Sequence, residues 1–316
     1  MLQLSFGRVY KYYSAKWVLF ALVAVFEIGS IVCASTPTSN GLIIGRAITG
    51  IGGAGISSGA FFLITMLVPL QARPKYSGGL GSVFGLASII GPVIGGYLTS
   101  VTWRWCFWIN VPVGAVSLAF LLFFCPSTAA PDKPADTWLG KTKQLDPLGF
   151  VLVAPAAICL LFALQWGGTV YPWSNWRVIF LFILFGVLLT AFVVSQVWLQ
   201  EKATIPPKIF LQRTVLSGSI AQIGIGSGIV IFAFYLPIWF QVIQGKSPQS
   251  SGLSLIPFLL SNVLAVIGGG IATSMLGYYN PFLIVGGAIL IVGSALITTW
   301  QVHIGPGIWI GYQVCR

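Results

Sequence analysis

Three properties of the 316-residue chain predict an all-α integral membrane protein. Hydrophobic residues make up 57% and charged residues only 7%, whereas a soluble domain carries about a quarter charged residues. Apolar runs long enough to cross a bilayer as a helix, about 20 residues each, recur along the whole sequence. Basic residues fall almost entirely in alternate gaps between those runs, as loops on one side of a membrane would.

The chain opens on a short apolar tail, residues 1–10, leading into a basic loop with Arg8, Lys11 and Lys16. The apolar run that follows is too long for a secretory leader, and further spans come after it. The first full span is residues 17–34, closed by the neutral turn STPTSNG, and the second is residues 42–68. The third, residues 77–100, is the uncharged stretch SGGLGSVFGLASIIGPVIGGYLTS. Its small residues Gly78, Gly81, Gly85, Ser88, Gly91 and Gly95 recur at three- and four-residue steps, which keeps them on one helical face. In lipid such a face lets a neighbouring backbone come close, so Gly95 is expected to leave no room for a branched side chain. Pro92 removes a donor and predicts a bend.

A tryptophan-rich turn, residues 101–105, leads to the fourth span, residues 106–125. Residues 127–146 form a polar, proline-bearing connector in which acids alternate with lysines. Spans at 147–166 and 176–198 follow, then a charged loop with Glu201, Lys202, Lys208 and Arg213. Further spans are predicted at 215–240, 252–274 and 281–300, and another begins after residue 304. The total is about nine complete spans with partial helices at both termini.

Alternating these spans puts Arg8, Lys11, Lys16, Arg73, Lys75, Lys133, Lys141, Lys143, Lys202, Lys208 and Arg213 on one side. The other side receives only Arg104, Arg177 and Lys246. Such an excess assigns the first set to the cytoplasm. Trp103, Trp105, Trp166, Trp173, Trp176, Trp239 and Trp300 then sit at outer ends, as an interfacial belt does.

Several function classes are excluded on composition. The net charge of +11 is spread over the loops, so no dense patch offers itself to a nucleic acid. Five scattered cysteines (Cys33, Cys106, Cys125, Cys159, Cys315) and one histidine, His303, form no metal or disulfide framework. No cofactor motif is present. An enzyme needs nucleophile, base or ligand groups gathered at one depth, and no such catalytic set exists. The partners expected are therefore a lipid bilayer and small molecules.

Charge embedded in a span is expensive and usually faces a cavity. Glu27 lies about 15 Å into the first span at 1.5 Å per residue, and Arg46 lies at a similar depth in the second. Spacing alone supports a structural ion pair across the hairpin, an arginine snorkelling outward, or a proton-responsive pair lining a pathway.

Three motifs carry a resemblance. Ala87-x3-Gly91-Pro92-x2-Gly95-Gly96 resembles the fifth-helix antiporter signature of the major facilitator superfamily. The run GRAITGIGGA from Gly45, with Arg46, Gly50 and Gly52, is similar to that superfamily's fourth-helix motif, with Thr49 where a glutamine is common. WRWCFWINVPVG, with Trp103, Arg104, Trp105, Asn110, Pro112 and Gly114, resembles the helix junction of the fourteen-helix drug:proton antiporter branch, particularly fungal toxin and multidrug exporters. A loop motif appears in altered form at Gly7–Lys16, with Lys11 where an aspartate is usual, and returns at Gly270-x6-Gly277 with Ser274 in the acid's place.

The resemblance implies the superfamily fold: an N-terminal lobe at 1–126, a cytoplasmic connector at 127–146, two linker helices at 147–200 and a C-terminal lobe at 201–316. It implies proton-coupled efflux of small amphipathic organic compounds by alternating access, in a monomer at the plasma membrane. Arg46 would face the central cavity, with Glu27 beside the proton path. Phe61, Phe62, Phe232, Phe234 and Tyr235 are candidate apolar walls, or equally lipid-facing residues. Matched to the family, the complete spans are its third to eleventh helices. The first helix and the last ones would be missing, as in a truncated gene product, and residues 1–316 alone are not expected to transport. An importer of siderophores, amino acids or sugars, or a membrane receptor, is the alternative.

Overall fold

Apolar length sets the helices, and prolines, glycines and short polar side chains set where they stop. The structure, a computed structural model, describes residues 2–126, 145–200, 203–300 and 305–314. In chain order the helices are α1 Leu2–Tyr12, α2 Ala15–Ser35, α3 Ser39–Leu67, α4 Arg73–Val101, α5 Trp105–Trp108, α6 Asn110–Phe124 and α7 Pro147–Trp166. They continue as α8 Trp176–Leu199, α9 Pro207–Phe210, α10 Arg213–Val242, α11 Pro248–Leu253, α12 Ile256–Leu276, α13 Asn280–Thr298 and α14 Pro306–Val314. Among the described residues there is no strand, only an isolated bridge between Gly167 and Tyr171 in the α7–α8 turn.

Eight helical segments are long and apolar enough to cross a membrane, counting α5–α6 and α11–α12 each as one segment. The remaining predicted span is α4, a single 29-residue helix. The bend expected at Pro92 rests on a side chain outside the described residues. Residues 127–144 of the connector, with Lys133, Lys141 and Lys143, also lie outside them, as do Lys202 and His303.

Local chemistry explains the boundaries. Asp146 caps α7, its side chain accepting from the Gly149 N–H, and Pro147 follows at the first helical position. Asn175 caps α8 by accepting from Arg177 N, and Ser247 caps α11 by accepting from Ser250 N. Gly277 ends α12 at φ +76°, a left-handed conformation that favours glycine.

By their internal contacts the residues divide into two compact units, 1–62 with 108–217, and 63–107 with 218–316. In the first, α2 packs on α6, α7 on α8, and α1 touches α2 and α7. In the second, α4 lies along α12, and α14 packs against α12 and α13. Both units turn large apolar side chains outward: Trp198 is 82% exposed and Met275 81%. A soluble protein does not present such surface on every helix. Lipid is the solvent that accommodates it, so the protein is a multi-pass membrane protein.

Candidate functional site

The first unit builds a site where α2, α3 and α6 converge. Glycines let these helices approach closely. A Cβ added at Gly45 would lie 2.6 Å from the Cys33 sulfur, and one at Gly52 would lie 2.7 Å from Phe26 N. No real Cβ sits that close, so α2 and α3 pack at a distance only glycine permits. Buried Thr49, in the place of the motif's glutamine, packs against Gly29 and donates its hydroxyl to the Arg46 carbonyl at 2.9 Å. Gly50 has open space around it.

The α2–α6 contact runs antiparallel through two pairs one helical turn apart. Asn110 donates to the buried Ser30 hydroxyl at 3.3 Å. One turn on, the Glu27 carboxylate lies over Gly114, where any Cβ would overlap it. Glu27 is only 8% exposed. Its Oε2 is buried and has no hydrogen-bond partner among the described residues. The carboxylate lines a groove of about 490 Å³ whose other walls include Leu19, Val23, Phe26, Asn110 and Phe120. Apart from Asn110 and Ser117, those walls are apolar or glycine.

Not every residue singled out in the sequence joins this site. No ion pair links Glu27 to Arg46, whose side chain is exposed on α3. Pro112 is exposed near the start of α6. Phe62 stacks on Tyr10 at 5.4 Å, while Phe61 is 44% exposed. The remaining candidates belong to the second unit. There, Trp103 meets Phe107 edge to face at 6.1 Å, Arg104 lies over the Trp103 ring at 4.9 Å, and Trp105 is exposed. Phe234 and Tyr235 are exposed too, their rings edge to face at 5.4 Å.

Helix α4 uses its small-residue face unevenly. A Cβ at Gly78 would lie 2.8 Å from the Val266 carbonyl, and one at Gly270 would lie 2.7 Å from that of Pro74, so α4 and α12 touch backbone to backbone. Gly85 sits directly on Val263. Around Gly91, Gly95 and Gly96 no atom of the described residues comes within 4 Å of an added Cβ, and Ala87 is exposed. Within this unit the close approach to α12 is made at Gly78–Gly85. At the adjoining end Ser274, in the loop motif's acid position, donates to the Gln71 carbonyl at 2.8 Å.

One polar cluster was not read from the sequence. Asp146, 1% exposed, accepts from Gly149 N at 2.9 Å, Gln196 Nε2 at 3.1 Å, Thr204 N at 2.8 Å and Thr204 Oγ1 at 2.7 Å. Gln196 in turn accepts from Ile205 N at 2.9 Å. Arg8 donates to the neighbouring Ala203 carbonyl and feels the Asp146 charge. Burial pushes the Asp146 carboxyl upward, but its hydrogen bonds to Gln196, Thr204 and Gly149 outweigh that and hold it below the usual aspartate value. The sequence signal was present in Asp146-Pro147-x-Gly149, an N-cap and first-turn pattern. Its partner 50 residues away was not visible.

The model of the Major Facilitator Superfamily matches residues 1–315. The chain belongs to that superfamily. It is 44% identical over 313 residues to the "MFS-type efflux pump MFS1" of Arthroderma benhamiae, covering 99% of this chain and 58% of the relative. It is 46% identical over 315 residues to the "MFS-type transporter astH" of Aspergillus oryzae, covering 99% and 56%. It is 45% identical over 313 residues to the "Efflux pump roqT" of Penicillium rubens, covering 98% and 58%. The chain therefore spans little more than half the length of these relatives. The superfamily is one of membrane transporters and not of enzymes.

Proposed function

We propose that these residues serve proton-coupled efflux of small amphipathic organic compounds, by alternating access in a monomer at the plasma membrane. The observation that carries the reading is Glu27, a carboxylate buried at mid-span whose Oε2 has no partner among the described residues, lining an apolar groove of about 490 Å³. Such a group costs several kcal/mol in a bilayer unless it is protonated or meets a ligand. It can therefore respond both to a proton and to a compound entering the groove. Two relatives named efflux pumps support the export direction. The antiporter signature on α4, Ala87, Gly91, Pro92, Gly95 and Gly96, supports it further.

Arg46 holds a second role in this reading. It carries an exposed guanidinium on α3, makes no ion pair with Glu27, and supplies the fixed positive charge of the path. The test uses everted membrane vesicles from a strain stripped of its own drug exporters. They carry the chain as residues 1–316 and, separately, extended to the length of its relatives. In the extended form an acid interior should drive uptake of a fluorescent amphipathic dye. Glu27→Gln should cut the proton-driven part at least tenfold, and Arg46→Lys, which keeps charge but loses the planar fork, should reduce it less. Dye uptake in Glu27→Gln at the unchanged rate and pH dependence overturns the proposal.

A further inference from the structure

The second unit holds an aromatic box that nothing above uses. Helix α10 ends at Val242, and Gly245 turns the chain in a left-handed conformation at φ +62°. That turn lets the Lys246 N–H donate back to the Phe240 carbonyl at 3.1 Å. The lysine side chain consequently folds over its own helix end instead of reaching away from it. Its ammonium sits 4.5 Å from the centre of the Phe240 ring and 4.9 Å from that of Trp309. It donates to Ser254 Oγ at 3.0 Å, and that hydroxyl donates onward to the Ser250 carbonyl at 2.9 Å.

The walls are fixed by one another. Phe240 is fully buried and meets Trp309 at 5.1 Å and Trp300 at 5.8 Å, while Trp300 meets Trp239 at 4.8 Å. The indole N–H of Trp300 is buried with no partner among the described residues, so this wall keeps an unused donor. Two ring faces, Phe240 and Trp309, and the Ser254 hydroxyl meet the ammonium, while Trp300 and Trp239 back the Phe240 ring. Ring faces attract cations, and the attraction grows where water is thinned out.

We propose that this box is a binding site for an organic ammonium, held shut by Lys246 as an occupant tethered in place. The argument is chemical. A lysine near a membrane surface ordinarily extends its charge into water and leaves its stem on the apolar surface. Lys246 does the reverse, trading part of its hydration for two ring faces and a hydroxyl. The tether spans one glycine turn, so the lysine leaves the box by rotation of its own side chain and the loop at 243–247. A free organic ammonium offers the same charge to the same rings and competes directly with it. The site is distinct from the Glu27 groove and independent of what the protein carries.

Choline is a suitable probe, and 3,3-dimethyl-1-butanol is its uncharged counterpart of nearly equal shape. With the chain in lipid nanodiscs, Lys246→Ala should bind choline about tenfold more tightly than the unchanged chain, the scale of one favourable cation–ring contact. Adding Trp309→Leu should remove that gain. A second measurement does not depend on the variants folding. Saturating choline should raise the rate at which an amine-reactive ester acylates Lys246 in the unchanged chain, read by mass spectrometry, while Lys11 reacts as before. Two results overturn the proposal. One is a Lys246 acylation rate that choline leaves unchanged. The other is a response to the uncharged alcohol equal to that to choline, which would make the box an apolar gap and not a cation site.

Discussion

Two buried acids sit in the first unit and have opposite surroundings. Asp146 receives four hydrogen bonds from three residues, one of them 50 positions away and another 58. Glu27 is nearly as inaccessible, yet its Oε2 receives none from the described residues, and it faces a groove instead of a packed cluster. Burial alone does not say what an acid is for. Four donors, one on Oδ1 and three on Oδ2, make a fixed negative charge that ties the start of α7 to α8 and to the loop at 203–205. A carboxylate left without donors is unstable as an anion in that place, which suits a group that must change state. The α2 helix could have placed an apolar side chain there at no electrostatic cost, so the acid at position 27 is a loss to stability, as the proposed proton-responsive role requires.

The comparison breaks most visibly if the two acids are removed in turn. Asp146→Ala strands the Gly149 and Thr204 N–H groups, the Thr204 hydroxyl and the Gln196 amide. Each buried donor left without an acceptor costs about 1–3 kcal/mol, so a loss of about 3 kcal/mol or more is expected even after partial rearrangement. Thermal unfolding of the purified chain in detergent, followed by helical circular dichroism, measures it. A melting temperature within a degree of the unchanged chain would mean that the cluster bears no weight.

The contrast also marks how far the sequence could be read. Span positions were legible because each needs only its own apolar length: residues 17–34 became Ala15–Ser35, and residues 176–198 became Trp176–Leu199. The embedded position of Glu27 was legible for the same reason. Its partner was not, because Arg46 at similar depth on the adjoining helix looked suitable, and only helix rotation decides which face each presents. Helices apolar all round give no periodicity from which to read that rotation. Asp146 stands at the end of the polar connector, and nothing in the sequence around Gln196 marks it as a partner 50 residues on. Trp239 and Trp300 were taken for an interfacial belt, which two tryptophans at helix ends resemble whether or not they meet. In each case the missing information was a contact between residues far apart in sequence.

The Glu27 side of the comparison sharpens through its neighbour. Gly114→Ala puts a methyl where the carboxylate lies, so either α6 moves off α2 or Glu27 swings away. Overpacking of this kind costs about 1–3 kcal/mol. Combining it with Glu27→Ala, which vacates the space, should recover most of that loss. A double-mutant cycle on the melting temperatures reads the coupling. Strictly additive effects would show that the two side chains do not compete for one volume.

Glu27→Met should move stability the other way. Methionine fills the space of the glutamate stem and carries no charge to desolvate, so a gain of about 1 kcal/mol is expected, within the range seen when buried charges give way to apolar residues. The same variant should lose the proton-driven dye uptake described above. Stability that falls by as much as in Asp146→Ala would mean that Glu27 has donors of its own and that the two acids are alike.

The smallest effect expected is a difference in acid tolerance, and its sign follows from Asp146. The hydrogen bonds hold its folded value below that of the unfolded chain. A group depressed in this way contributes its full stability above the unfolded value and loses it as the pH falls through the folded one. The melting temperature should therefore show no contribution from Asp146 to any change between neutral pH and the ordinary aspartate range. Below that range protonation removes acceptors from the cluster, and an extra decline should set in. Asp146→Asn has no carboxyl to protonate and keeps the side-chain shape, but it presents a donor to the donors of Gln196 and Thr204. It should start from a lower melting temperature at neutral pH and approach the unchanged chain as the pH drops, because both then carry an uncharged group in that position. Melting curves for the two chains, taken in steps from neutral to strongly acid pH, test this directly. Parallel curves throughout would show that the Asp146 charge contributes nothing and that only its shape matters; convergence in acid would leave Asp146 as the fixed charge against which Glu27 is measured.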